Sequence, residues 1–285
     1  MELDDIDTVG VVGAGTMGNG IAQVAAVAGY DVVLRDVDEE LVGGGFDAIE
    51  DSLARVVDRT ELDRASADAA RGRIEGTTDV ADLSASDVVV EAVTEDMGVK
   101  QSVFAEVDDV TGAETVLASN TSTLSITRLG STVARPERVC GLHFMNPVPV
   151  MAGVEVVVGE QTSSDTVERC HEFAASLGKE TWEADDKPGF VVNRVLMPWL
   201  NEGIRAYDEG VASKADIDRG MRLGTNVPMG PLELADHIGL DVVLDASETL
   251  HAELGDRYQP AYLLKRKVAA GDLGKKTGVG FYDYE

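Results

Sequence analysis

Short apolar runs alternate with amphipathic segments through the first two thirds of the chain. Runs rich in β-branched residues and bounded by polar residues or glycine predict buried strands. We place these strands at 8–12, 31–34, 87–90, 115–118, 139–142, 154–158 and 180–182. Between several of them, apolar residues recur at helical spacing, which predicts helices at 19–29, 99–107 and 165–177. This alternation predicts an α/β fold with a largely parallel sheet.

Residues 38–72 have a strongly charged helical pattern that three consecutive glycines, Gly43 to Gly45, interrupt. A glycine inside a helix costs about 1 kcal/mol relative to alanine. We therefore expect the first helix of this segment to be loose or broken.

From Pro188 onward the pattern is helical throughout. It predicts helices at 190–207, 214–222, 232–238, 242–254 and 262–270. The predicted breaks are Gly210, Gly224, the 228–231 turn, Gly239 and Gly255. We expect two domains, an α/β domain at 1–187 and an all-α domain at 188–285.

The charge balance of the 285 residues is unusual, with 52 acidic against 24 basic side chains and a net charge of −28. Such a surface repels nucleic acid, so we expect no nucleic-acid partner. The acids are spread through well-patterned sequence and do not form a disordered tail. An acidic, lysine-poor surface on a foldable core is typical of proteins from halophiles, although solubility alone also favours net charge.

Cysteine content and hydropathy bear on the compartment. The two cysteines, Cys140 and Cys170, are too few for a disulfide framework and suit a reducing cytoplasm. The acidic start of the chain does not resemble a secretory leader, and no apolar run approaches 18 residues, so we expect no membrane association. Cys140 and His143 have metal-like spacing but no second ligand pair, so we expect no metal site.

A glycine motif follows the first predicted strand directly. Gly13-Ala14-Gly15-Thr16-Met17-Gly18 lies between that strand and a helix, and Asp36 follows the second strand. In this context the glycines permit a tight turn, close approach of a pyrophosphate, and close packing of helix on strand. Asp36 can accept hydrogen bonds from the adenosine ribose and opposes a 2′-phosphate. The motif therefore predicts binding of NAD in preference to NADP.

The segment from His143 to Glu155 contains the strongest candidate for acid–base chemistry. Glu155 lies among valines in a predicted buried strand, where an ionised carboxylate requires a partner. His143 is the nearest titratable residue across a predicted strand-turn-strand. A carboxylate that fixes the tautomer and orientation of a histidine favours a general base. A structural histidine bonded to a backbone carbonyl is the alternative that these residues leave open.

Polar residues also follow the ends of other predicted strands. Glu95, Lys100 and Ser122 come after the strands at 87–90 and 115–118. Ligands bind at the carboxyl ends of strands in open α/β sheets. These three side chains are therefore expected at the active edge, although each alone is more often a cap or a solvated residue.

Taken together, these segments resemble the short-chain L-3-hydroxyacyl-CoA dehydrogenases, including 3-hydroxybutyryl-CoA dehydrogenases. The resemblance covers essentially the whole chain. The motifs that carry it are VGAGTMGNGIAQ, EAVTED, SNTSTLSIT, GLHFMNPVPVMAGVEVV, PGFVVNRVLMPWLNE, PMGPLELADHIGLD and GKKTGVGFYDY. It implies a Rossmann-type NAD-binding domain followed by a helical domain that forms a homodimer.

The resemblance also implies roles for individual residues. By position, His143 is the catalytic base, Glu155 its partner, Ser122 the active-site serine, and Asn146 and Asn193 the asparagines that line the site. The implied cofactor contacts are Gly13, Gly15, Thr16, Met17, Gly18, Asp36, Glu95, Lys100, Asn120 and Asn146.

Two further positions correspond to coenzyme A contacts, Ser52 and Arg59. The family can have lysine at the second of these, and arginine carries the same charge with a different hydrogen-bonding geometry. The triple glycine just upstream makes these two contacts the least secure part of the resemblance.

The implied reaction is NAD-dependent oxidation of an L-3-hydroxyacyl-CoA to the 3-oxoacyl-CoA, and its reverse, in fatty-acid metabolism such as β-oxidation. The substrate partner is then an acyl-CoA ester. A 3-dehydrogenase of a sugar acid or another hydroxy acid without coenzyme A is the main alternative. A hydroxyacid dehydrogenase using Lys187 leaves Glu155 without a role, and a non-catalytic NAD-binding protein leaves His143, Ser122 and Asn193 without one.

Overall fold

The computed structural model describes residues 6–284, and its contacts divide the chain into two compact units, the first ending at Lys187 and the second beginning at Pro188. The strands are β1 Thr8–Val12, β2 Asp31–Arg35, β3 Ile74–Thr77, β4 Val88–Glu91, β5 Val116–Ser119, β6 Val139–Phe144, β7 Gly153–Val158 and β8 Glu180–Asp185. The helices are α1 Thr16–Ala28, α2 Glu39–Asp58, α3 Arg64–Gly72, α4 Met97–Val110, α5 Ile126–Gly130, α6 Ser164–Ser176, α7 Val192–Asp208, α8 Lys214–Thr225, α9 Pro231–Ile238, α10 Leu240–Leu254 and α11 Tyr262–Ala270. Short 3₁₀ helices lie at Val80–Ala85, Pro136–Arg138, Asp256–Tyr258 and Lys275–Thr277.

Within residues 6–284 the strands form one sheet in the order β3-β2-β1-β4-β5-β6-β7-β8. All neighbouring strands are parallel except β6 and β7, which are antiparallel. The α/β fold with a Rossmann-type sheet is thereby confirmed. The edge strand β3 had not been predicted. Only Ile74 of its four residues is buried, so its sequence lacks the apolar run that indicates a buried strand.

Chain order reverses between β1 and β4, the third and fourth strands of the eight-stranded sheet. A crevice forms outside the carboxyl ends of the strands at such a switch point, and ligands bind there. The loops that follow β1, β4, β5 and β6 therefore share one edge. Six of the candidate site residues lie in these loops: Gly13, Gly15, Glu95, Asn120, Ser122 and Asn146.

The expectation of a broken helix at Gly43 to Gly45 is wrong, because α2 runs unbroken for 20 residues. A Cβ added at Gly45 would lie 2.8 Å from the Cβ of Ala14 and 2.9 Å from its carbonyl oxygen. Gly45 thus lets the helix pack directly on the turn after β1. The buried residues of α2 are Val42, Gly45, Ile49 and Leu53. Their tertiary packing outweighs the low helix propensity of the glycines.

Several element ends also differ from the expected positions. α1 begins at Thr16 because Gly15 is its N-cap, so part of the glycine motif forms the first helical turn. α7 begins at Val192, since Gly189 and Phe190 have φ values of +76° and +47°, which helices exclude. The short helix α5 had not been predicted.

The second unit, described by itself, consists of α7 to α11 around an apolar core that includes Leu200, Leu232 and Leu250. Gly224 is not a break, because α8 continues through it to Thr225 and ends at Asn226 in the left-handed conformation. Asp236, fully buried in α9, accepts hydrogen bonds from the backbone N–H groups of Phe281 and Tyr282. No helix within residues 6–284 has the length and apolar character needed to cross a bilayer.

Candidate active site

The turn between β1 and α1 has the geometry of a phosphate cradle. Gly13 has a φ of +103°, and a Cβ at Gly18 would lie 1.6 Å from the carbonyl oxygen of Gly13. A side chain is therefore excluded at both positions. Gly15 is exposed, has open space where a Cβ would be, and makes no side-chain cap to α1. The first N–H groups of α1, from Thr16 and Met17, are thus placed to bind a pyrophosphate.

Asp36 follows β2 and faces this turn. Its Oδ2 accepts a hydrogen bond from the Ala14 N–H at 2.6 Å, and its Oδ1 accepts one from the Val37 N–H at 2.7 Å. Asp36 thus brings a carboxylate beside the glycine turn, where the adenosine ribose of a dinucleotide binds. The turn and Asp36 together fit NAD.

His143 and Glu155 are direct cross-strand partners in the antiparallel pair β6–β7. The His143 Nδ1 lies 2.6 Å from the Glu155 Oε2. The Trp182 Nε1–H, from the residue paired with Glu155 on β8, donates to the Glu155 Oε1 at 3.2 Å. Glu155 is fully buried and His143 is 8 % exposed. The carboxylate holds Nδ1 as the protonated nitrogen, which puts the lone pair of the neutral ring on Nε2.

The asparagines of the site occupy different positions. Asn120, just after β5, is buried, and its Oδ1 accepts the Phe144 N–H at 2.9 Å. This bond fixes the backbone directly after His143, so Asn120 supports the histidine. Asn146 is exposed in the loop between β6 and β7. Asn193 belongs to the second unit, in the first turn of α7.

Ser122 lies in a loop that Glu95 organises. The Glu95 Oε1 accepts hydrogen bonds from the Thr121 Oγ1–H at 2.6 Å, the Ser122 N–H at 2.9 Å and the Thr123 N–H at 3.2 Å. Burial alone would raise the pKa of Glu95, but the charge of Lys100 and the hydrogen bonds from Thr121 and Ser122 together lower it. Glu95 is therefore an anion that holds the serine loop.

Lys100 is 1 % exposed, and its ammonium lies 2.7 Å from the Glu91 Oε1 and 3.3 Å from the Glu95 Oε2. Burial raises the pKa of Glu91, and Lys100 opposes that effect. The three residues form a charged cluster at the carboxyl end of β4. The Lys100 ammonium is therefore enclosed by carboxylates, and its contact with the cofactor stays a prediction.

The residues matched to coenzyme A contacts lie on α2. Ser52 is half-buried within the helix, and Arg59 is exposed as its C-cap residue. They are seven positions apart, which is close to two helical turns and places both on the same side of the helix. Their part in binding coenzyme A stays a prediction.

Sequence reasoning missed two residues that the structure places in the site. Glu91 ends the apolar run Val88-Val89-Val90, and Trp182 bonds the buried Glu155. The signal for Glu91 was the same one that singled out Glu155, a carboxylate attached to a run of valines. Trp182 had no such signal, because its contact depends on the pairing of β7 with β8.

Two family models match this chain. Residues 8–187 match the NAD-binding domain of 3-hydroxyacyl-CoA dehydrogenase, and residues 189–284 match the C-terminal domain of the same enzyme. Among similar proteins, a probable 3-hydroxybutyryl-CoA dehydrogenase of Deinococcus radiodurans is 49% identical, over 96% of this chain and 99% of its own length. The 3-hydroxybutyryl-CoA dehydrogenase of Bradyrhizobium diazoefficiens is 47% identical, over 98% of this chain and 96% of its own length.

The fold is also similar to solved structures. The crystal structure of (S)-3-hydroxybutyryl-CoA dehydrogenase from Ralstonia eutropha superposes with a TM-score of 0.94 at 46% identity. That match covers 99% of this chain and all of the other.

Proposed function

Because the chain belongs to the 3-hydroxyacyl-CoA dehydrogenase family, whose members use NAD, we propose that it interconverts short-chain L-3-hydroxyacyl-CoA and 3-oxoacyl-CoA esters, with His143 as the acid–base group. The observation that carries this proposal is the buried pair of His143 and Glu155, in which Nδ1 lies 2.6 Å from Oε2. Their strands, β6 and β7, belong to the same sheet as β1, which leads into the glycine turn. Similarity to proteins named 3-hydroxybutyryl-CoA dehydrogenases favours a four-carbon acyl group.

His143 and Glu155 carry out the proton transfer of the proposed reaction. The His143 Nε2 takes the proton from the substrate 3-hydroxyl, and Glu155 stabilises the imidazolium that forms. Bound NAD supplies the hydride acceptor. Ser122 orients the reacting oxygen, and Glu95 holds the Ser122 loop in place. In the reverse direction the protonated His143 polarises the 3-oxo group and returns the proton.

An assay of NADH oxidation in high salt tests this function. Acetoacetyl-CoA should support rapid turnover, and activity should fall as the acyl chain lengthens. Free acetoacetate and 3-keto sugar acids should support far less, because they lack the group that Ser52 and Arg59 bind. Preference for a substrate without coenzyme A, together with no inhibition by free coenzyme A, would favour the sugar-acid alternative instead.

Replacing Asp36 with alanine should change the cofactor preference. The change removes a carboxylate that accepts from the ribose and repels a 2′-phosphate, so the kcat/KM ratio of NADPH to NADH should rise roughly tenfold or more. Steady-state kinetics with both cofactors measure the ratio. The matched control is Asp38→Ala, which removes the N-cap of α2 and should leave the ratio unchanged. A ratio that does not move in Asp36→Ala would place the carboxylate away from the ribose.

We also propose a cytoplasmic homodimer joined through the helical unit and adapted to high salt. The segment 1–187 carries 37 acids and 13 bases, net −24, whereas 188–285 carries 15 and 11, net −4. Interface cores are depleted in charge, which favours the helical segment as the dimer surface. Leu223 and Tyr262 of this unit are 76 % and 73 % exposed, and a partner subunit would cover such apolar side chains.

Lowering the salt should inactivate this dimer before it dissociates. The screening length grows from ~3 Å at 1 M to ~10 Å at 0.1 M. The resulting repulsion is stronger within each acidic N-terminal unit than between the less charged helical units, so the N-terminal units should lose activity first. Light scattering and activity, followed together down a salt gradient, measure both processes. A monomer in molar salt, or dissociation well ahead of inactivation, would contradict the proposal.

A further inference from the structure

Glu91 is a buried carboxylate to which the proposed chemistry gives no part. It is the last residue of β4 and is 2 % exposed. Its Oε1 accepts hydrogen bonds from the Lys100 ammonium and from the Val93 N–H, each at 2.7 Å. Its Oε2 accepts one from the Ser119 Oγ–H at 2.7 Å. Both oxygens therefore already accept hydrogen bonds within the protein.

Two routes lead from Glu91 to the loop that carries Ser122. In the first, Lys100 bridges Glu91 to Glu95, whose other oxygen accepts the Ser122 and Thr123 N–H groups. In the second, the Ser119 hydroxyl that donates to Glu91 accepts the Thr121 N–H at 3.2 Å. Both routes end within residues 121–123. Glu91, two side chains away, is therefore connected to the loop that carries Ser122.

The charges make this arrangement rigid. Lys100 is almost completely enclosed, and a buried ammonium without an adjacent anion is strongly unfavourable. Glu91 and Lys100 thus hold each other in one geometry, and only Glu95, with 39 % of its side chain exposed, reaches the active edge. Without the Glu91 charge, Glu95 would be the remaining anion beside Lys100, and the attraction between them would move Glu95 away from the loop.

We infer that Glu91 is a positioning residue for the proposed dehydrogenase reaction, acting on Ser122 through Lys100 and Glu95. The inference rests on the function proposed above. An ordinary core ion pair would contribute to stability alone, whereas this one sets the geometry of a loop that touches the reacting substrate.

A double-mutant cycle separates these two roles. Glu91→Gln keeps the shape of the side chain and removes its charge. In the otherwise native enzyme, kcat with acetoacetyl-CoA should fall about tenfold, while the KM for NADH changes less. In a Ser122→Ala background, the same substitution should lower kcat less than about twofold, because the group that it positions is gone. Equal losses in the two backgrounds would overturn the inference.

Controls keep the result interpretable. Glu114→Gln, an exposed substitution of the same type in the same unit, should change kcat in neither background. If Glu91→Gln does not fold, Glu91→Asp, which keeps the charge but shortens its reach, is measured in the same two backgrounds. The rates of the native enzyme and of Ser122→Ala, measured first, test the proposed function, and the ratio of the two losses tests Glu91.

Amide hydrogen exchange gives a readout that does not depend on activity. The Ser122 and Thr123 N–H groups donate to Glu95, so Glu91→Gln should speed their exchange at least about tenfold relative to Glu114→Gln. Exchange at these two amides that matches the control would also overturn the inference.

Discussion

Replacing His143 with alanine is expected to lower kcat by at least about 10²-fold, which is the usual contribution of a positioned acid–base group. The substitution removes the Nε2 that takes the substrate proton. NADH binding should be unchanged, because the glycine turn follows β1 and Asp36 follows β2, whereas His143 lies on β6. Stopped-flow measurement of NADH oxidation, with binding followed by NADH fluorescence, tests both expectations.

The chain offers a matched control for this substitution. His171 on α6 also has a carboxylate partner, with its Nε2 3.3 Å from the Glu183 Oε1 and its Nδ1 2.7 Å from the Thr181 Oγ1. That carboxylate is mostly exposed, so the pair lies at the surface. His171→Ala should retain full activity. Turnover of His143→Ala close to that of this control would remove His143 as the base.

Replacing Glu155 with glutamine should lower kcat on the order of 10²-fold without loss of the fold. The glutamine carbonyl oxygen can still accept the His143 Nδ1–H, but it cannot stabilise the imidazolium charge that develops as His143 takes the proton. The change preserves the shape of the side chain, but its amide nitrogen then faces the Trp182 Nε1–H and cannot accept that hydrogen bond, so the free energy of unfolding should fall by about 1–3 kcal/mol with the fold retained. Thermal unfolding and single-turnover kinetics measure the two effects separately.

A second cycle shows whether His143 and Glu155 act as one unit. In a His143→Ala background, Glu155→Gln should cause little further loss, because the charge that Glu155 stabilises no longer forms. Losses that simply multiply would mean that Glu155 acts independently of the histidine. Glu183→Gln, the same substitution in the surface pair, should leave kcat unchanged.

The features that followed from local patterns were predicted well. The valine-rich runs predicted the strands that β4 and β7 confirm, because strands buried on both faces require continuous apolar sequence. The edge strand β3 escaped prediction because its exposed face is polar. The prediction of a broken helix at Gly43 to Gly45 was wrong because it rested on helix propensity alone. Propensity does not include the packing of Gly45 against Ala14.

Among the site residues, the sequence by itself determined which chemical groups exist and which local turns position them. The glycines after β1 and the carboxylate inside a valine run could be interpreted from neighbours in the chain, because backbone conformation and the cost of an isolated buried charge are local properties. These two signals predicted NAD binding and identified His143 as the candidate partner of Glu155, while a structural histidine stayed open as the alternative.

Only the tertiary structure decided which groups of different strands meet. Trp182 reaches Glu155 because β8 pairs with β7 in one register, and Asn120 reaches the backbone beside His143 because β5 pairs with β6. Glu91 connects to Ser122 through Lys100, nine residues further along the chain, and Glu95. Such contacts depend on strand register and helix packing, which the whole sheet sets at once, and so no local pattern in the sequence indicates them.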